Sequence, residues 1–143
     1  MKLFTIGFTK SSAAHFFDRL RKARVKRLID VRLHNSSQLA GFAKAADLAY
    51  FAREICGIET EHHLELAPTD AVFEGLRKDR KHWEENAAKF RALIARRKIE
   101  KLERKLFDGA CLLCSEDQPH HCHRRLVAEY LREKWGGVEI EHL

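Results

Sequence analysis

The sequence predicts an α/β protein of the Rossmann-like, three-layer kind, with a mostly parallel sheet of about five strands and helices on both faces. Three observations carry that prediction. Strand-like and helix-like stretches alternate along the whole chain. Two stretches, VKRLIDVRL (25–33) and GACLLCSE (109–116), hold apolar runs too continuous for a half-exposed strand, as expected of interior strands in a parallel sheet. Seven Gly and two Pro are scattered as turn punctuation rather than gathered into a linker, so a single domain over 1–143 is expected.

Each element has its own signal. KLFTIGF (2–8) reads as a strand ending at Gly7. Ser11 and Ser12 are N-cap candidates for a helix whose inward stripe is Ala13, Phe16, Phe17 and Leu20. Residues 25–33 form the second strand, and the polar loop HNSSQLAG follows. Leu48, Phe51, Ala52 and Ile55 recur at helical spacing up to Gly57, a C′ glycine. IETEHHLEL (58–66) alternates as a more exposed strand. Pro68 and Thr69 open a long helical region with Trp83, Ala87, Phe90 and Ile94 on one stripe. Residues 109–116 make a buried strand, and Leu126, Val127, Tyr130 and Leu131 face inward from the last helix. Gly136 and Gly137 break that helix before the closing strand VEIEHL.

Composition narrows the function classes. No apolar run is long enough for a bilayer, and the N-terminus lacks a signal-peptide h-region, so a cytoplasmic protein with no membrane partner is expected. Four Cys among 143 residues do not make a disulfide framework, and reduced thiols are the default in that compartment. The net charge of +6 admits a nucleic-acid partner. However, the basic blocks RLRKARVKR (19–27) and RALIARRKIEKLERK (91–105) are interleaved with apolar positions at helical spacing, which favours solvated helix faces. Oligomeric state leaves no trace in the sequence.

The chemistry concentrates at predicted strand ends, where open α/β sheets bind ligands. Gly7 closes the first strand, Asp30 and Arg32 the second, and Cys114 and Glu116 the fourth. Cys122 falls near the start of the last helix, with Asp117 as a cap candidate and Pro119 suited to the first turn. Free backbone N–H groups there, with His123 and Arg124, favour a thiolate, so Cys122 is the candidate nucleophile. Glu116 is a candidate base or orienter of His123, completing a catalytic set of Cys122, Glu116 and His123. The alternative is a small buried thiol that packs helix against sheet. Gly7, Asp30, Arg32, Ser37 and Arg124 are ligand-binding candidates. For Asp30, Arg32 and Arg124 the competing reading is internal ion pairing, and for Ser37 helix capping.

No metal is assigned from spacing alone. In a strand, Cys111 and Cys114 point to opposite faces, which argues against a zinc knuckle. Cys114 and Cys122 with His120, His121 or His123 are the residues that would suit zinc or iron. Neither GxGxxG nor GxxxxGK[ST] occurs, so the usual dinucleotide and P-loop signatures are missing.

TIGFTKSS, IDVRL followed by SSQLAGF, HLELAPT and above all LLCSEDQPHHCHRRLVAEYL resemble the family of domain of unknown function 488, in order and over nearly the whole chain. The resemblance implies an α/β fold and a candidate site around Cys-x-Glu and Cys-His-Arg, and no particular reaction. Many members have Leu-Gly-Gly where this chain has Leu66-Ala67-Pro68, and Pro near His34-Asn35.

Two functional readings stand. One is a thiol-dependent transferase or hydrolase that binds an anionic, nucleotide-like molecule at the strand ends. The other is a non-catalytic nucleic-acid or nucleotide-binding module whose Cys/His cluster is structural or metal-bound.

Overall fold

Five parallel strands form one sheet in the computed structural model, which describes residues 1–36 and 41–143. In chain order they are β1 (Lys2–Gly7), β2 (Arg27–Asp30), β3 (Glu59–His62), β4 (Ala110–Cys114) and β5 (Glu139–His142). Their order across the sheet is β3-β2-β4-β1-β5. β4 is therefore central, with Gly7 beside Cys114 on one flank and Asp30 beside Leu113 on the other. All five β4 positions are buried, as its apolar run predicts, while the edge strands β3 and β5 carry the alternating Glu/His pattern of exposed strands.

Helices cover both faces. On one, α1 (Ala13–Lys22) and α2 (Ala45–Phe51) bring Phe16, Phe17, Leu20 and Leu48 onto Phe4, Ile6, Leu28, Cys111 and Leu113. On the other, α4 (Trp83–Arg97) and, after the short α5 (Arg104–Phe107), α6 (His123–Trp135) set Phe90, Ile94, Val127 and Leu131 against Leu3, Ile29, Leu112 and Cys114. Each large side chain so buried contributes about 1.5–3 kcal/mol. Cys111 and Cys114 thus face opposite layers, as strand alternation requires. Among the described residues no helix is long and apolar enough to cross a membrane.

Local signals explain most boundaries. Ser12 caps α1 by accepting from His15 N at 3.1 Å, and Thr69 caps α3 (Asp70–Lys78) by accepting from Val72 N at 3.3 Å. Gly57 ends the second helical segment at φ +67, where a Cβ is disfavoured. Three differences from the sequence reading stand out. α2 gives way to a π turn over Ala52–Cys56, and the one-residue slip turns Ile55 outward, 41% exposed. The long helical region breaks at Asp79–His82 into α3 and α4, where the Asp79 carboxylate holds the His82 ring at 2.7 Å. The last helix begins at His123, so Asp117 and Pro119 lie in the preceding loop and Cys122 itself is the N-cap residue.

Cys111 is fully buried against α1, and burial pushes its thiol well above the ordinary range. It should resist alkylation until the chain unfolds, whereas half-buried Cys56 should react slowly in the folded protein. Peptide mapping after brief iodoacetamide treatment, with and without urea, checks both.

Candidate active site

The chain leaves β1 into α1 on one face of the sheet and leaves β4 into α6 on the other. Adjacent strands whose helices depart to opposite sides open a crevice at their carboxyl ends. The loop after β4 is pinned there by backbone bonds, since Phe8 N and Thr9 N both donate to Ser115 O, at 3.3 and 3.0 Å. Arg124, 1% exposed, reaches beneath the loop from the first turn of α6. Its guanidinium donates to the carbonyls of Glu116 and Asp117 and, through Nε, to Thr5 Oγ1 at 3.3 Å. These contacts are to backbone and hydroxyl, so Arg124 bolts α6 to β1 and to the loop rather than pairing with a carboxylate.

Cys114, Cys122 and His123 meet at the crevice, their sulfur and ring-nitrogen atoms all within 4.8 Å of one another. All three are at most 5% exposed. His123 Nε2 lies 2.6 Å from Val31 O, and a carbonyl only accepts, so Nε2 carries the proton. The lone pair of Nδ1 then faces Cys114 Sγ at 3.5 Å. The Phe90 ring packs edge-on against the imidazole, 5.4 Å between centroids, and fixes its plane. The neighbouring Cys122 thiol holds the Cys114 thiol below its usual range, while burial pushes the Cys122 thiol up. Of the two sulfurs, Cys114 Sγ is the one that the Nδ1 lone pair of the base faces.

These groups floor a cleft of about 70 Å3. Its far wall comes from α3 and the turn into α4, through Phe73, Arg77, Arg80 and Trp83. Arg80 pairs with the Glu116 carboxylate at 3.0 Å across the mouth, and both partners are over 40% exposed. Trp83 is only 4% exposed, and among the described residues its buried Nε1–H has no hydrogen-bond partner. An orphaned donor of this kind costs about 1–3 kcal/mol.

The model of one family, domain of unknown function DUF488, matches residues 12–131. This chain belongs to the DUF488 family. No curated protein and no solved structure matches the chain. The matched span includes β2, β4, the thiol cluster and α3 and α4, so the whole cleft lies within the DUF488 domain.

Of the residues singled out in this DUF488 chain, the cleft gathers Cys114, Glu116, His121, Cys122 and His123. Glu116 faces Arg80, and the group that orients His123 is Val31 O rather than that carboxylate. Cys122 makes no side-chain cap bond to the helix. Its sulfur sits inside the cluster, where burial works against a charged form.

Asp30 and Arg32 lie on the α1/α2 side, outside the cleft lining. They close on each other through Nε–Oδ1 and Nη2–Oδ2 bonds of 2.8 Å each. Val31 between them points to the other face, where its carbonyl meets His123. Gly7 is no anion loop. Its carbonyl accepts from Arg19 Nη2 at 3.0 Å, and the missing Cβ makes room for Glu116 O. Ser37 lies outside the described residues. Arg77, Arg80 and Trp83 were not singled out as site residues. Nothing in the basic run RKDRKHW (77–83) distinguishes them from a solvated helix face.

Proposed function

We propose that this protein is a thiol-dependent enzyme acting on a small anionic substrate, with Cys114 as nucleophile and His123 as base. The observation that carries this reading is the Cys114–His123 contact, with the ring's other nitrogen committed to Val31 O. A nucleophile, a base within reach and a third group orienting the base are the parts that covalent catalysis needs. Cys114 Sγ attacks the electrophilic centre, and its proton passes to His123 Nδ1. The bond to the leaving group breaks with its electron pair, and the imidazolium returns the proton to that group. Water or an acceptor then releases the bound fragment, giving hydrolysis or transfer respectively.

Arg80 supplies the anion preference. The Arg80–Glu116 pair is exposed, worth at most about 1 kcal/mol, and exchanges readily for a substrate carboxylate or phosphate. The cleft is far smaller than the roughly 300–1,000 Å3 that houses a drug-sized ligand. An acid group of a nucleotide-like substrate fits it, and the remainder of such a molecule would lie outside. Among the described residues all four cysteines are free, which suits a reducing, cytoplasmic setting and a substrate met away from membranes.

Iodoacetate and iodoacetamide deliver the same alkyl group with and without a negative charge, and iodide leaves as the C–S bond forms. On metal-free protein, iodoacetate should modify Cys114 about tenfold faster than iodoacetamide, equivalent to about 1.4 kcal/mol. Arg80→Ala should erase the preference. Modification of Cys122 in place of Cys114, or of neither before unfolding, refutes the reading. Tight, steeply salt-dependent binding of nucleic acid with an inert Cys114 would favour the non-catalytic module instead.

A further inference from the structure

The thiol pair has a second use that the nucleophile reading leaves idle. We propose that Cys114, Cys122 and His123 bind one zinc ion, and that occupancy silences the Cys114 thiol. The consequence, silencing, rests on the reading of Cys114 as the working nucleophile; the site itself rests on geometry alone.

Zinc binds thiolate at about 2.3 Å and imidazole at about 2.0–2.1 Å; at a tetrahedral angle those bonds set sulfur and nitrogen about 3.6 Å apart. Cys114 Sγ and His123 Nδ1 are 3.5 Å apart, with the Cys122 ligand atom inside the same 4.8 Å limit. An ion therefore enters without rearranging these two side chains. The His123 ring is already set for ligation. A metal-bound imidazole commonly donates its other N–H to a carbonyl, and Nε2–H does so here to Val31 O.

The supports are rigid. Cys114 ends the central strand, and Cys122 and His123 occupy the N-cap and first position of α6. Charge also balances, because two thiolates neutralise a divalent cation and the buried complex carries no net charge. Binding displaces whatever thiol protons remain, and these go to solvent. Two sulfurs and one nitrogen in tetrahedral array favour zinc over harder ions. All three ligands line the cleft, which leaves the fourth position open toward Arg80 and His121 for water or an anion. His121 is itself held against Trp83, 5.0 Å between ring centroids.

The test uses chelator-treated, reduced wild-type protein titrated with cobalt(II), a spectroscopic stand-in for zinc. The expected result is a 1:1 complex with a sulfur-to-cobalt charge-transfer band, bleached by zinc. Zinc should also suppress iodoacetate labelling of Cys114, and chelator should restore it. Cys122→Ser should weaken zinc binding, measured against a chromophoric chelator, by more than the roughly 100-fold that loss of an outer partner costs. No thiolate band in wild-type protein, or unchanged zinc affinity in a folded Cys122→Ser, overturns the site. The two readings fail separately. Normal Cys114 labelling without cobalt binding removes only the zinc site. A thiolate–cobalt band on a chain whose Cys114 stays inert after chelation overturns silencing along with the nucleophile.

Discussion

Asp30→Ala should cost about 3–5 kcal/mol of folding stability, the range for removing one partner of a buried ion pair. Asp30 is 1% exposed and Arg32 3%. Besides the bidentate contact, the Asp30 carboxylate accepts from Arg32 N at 3.1 Å and from Asn35 Nδ2 at 3.2 Å. The Arg32 guanidinium also donates to Ala43 O at 2.8 Å and lies over the Phe8 ring, 5.2 Å from its centroid. Truncation leaves this guanidinium buried without a counter-charge, and frees the backbone N–H that holds the chain after β2. Against a total stability of about 5–15 kcal/mol, that loss is a large fraction. Replacing both partners with apolar residues of similar size, as in Asp30→Leu with Arg32→Met, should recover most of it. Urea midpoints for the two proteins decide the matter. If Asp30→Ala unfolds within about 0.5 kcal/mol of wild type, the pair is no structural clamp.

The ion pair also shows where sequence reasoning succeeds and where it stops. A carboxylate and a guanidinium two positions apart on a strand must share a face, and that much follows from alternation alone. Which face, and what the face meets, depends on helix placement, a tertiary property. The interior strands were legible because uninterrupted aliphatic runs such as Leu28-Ile29 and Leu112-Leu113 have few other uses. The caps Ser12, Thr69 and Gly57 were legible because each satisfies a local backbone need. The break at Asp79–His82 was hidden. Nothing in KDRKHW forbids a continuous helix, and the helical stripe carries on at Trp83.

At the site, Cys122 drew attention because a helix start favours anions, yet the geometry favours Cys114. The deciding facts are a carbonyl just after β2 and a ring on α6, distant in sequence, that together turn one nitrogen onto one sulfur. The cleft wall was likewise invisible, since only the packing of α3 and α4 beside β4 sets Arg80 and Trp83 over the thiols.

Gly7→Ala should be the most damaging single-methyl addition in the chain. An ideal Cβ at Gly7 would lie 1.6 Å from Glu116 O, 2.5 Å from Glu116 C and 3.0 Å from an Arg124 guanidinium nitrogen. The first contact is to backbone, so no rotamer relieves it. Gly7 does not have positive φ, so its role is close approach and not conformational freedom. Alanine must lever the Glu116 carbonyl off β1. That motion strips Arg124 of an acceptor and strains the Phe8 and Thr9 bonds to Ser115 O. A loss of about 3 kcal/mol or more is expected, the upper end of overpacking costs. Because Cys114 immediately precedes the displaced loop, cobalt-thiolate absorption and the iodoacetate preference should fall even in molecules that remain folded. Gly41→Ala is the matched control: among the described residues nothing lies within 4 Å of its added carbon, and it should unfold within about 0.5 kcal/mol of wild type. Equal urea midpoints for the two variants would mean that β1 and the loop after β4 are not locked together. Arg124 would then have no carbonyl to bolt, and the floor of the cleft would lose the support that holds Cys114 in place.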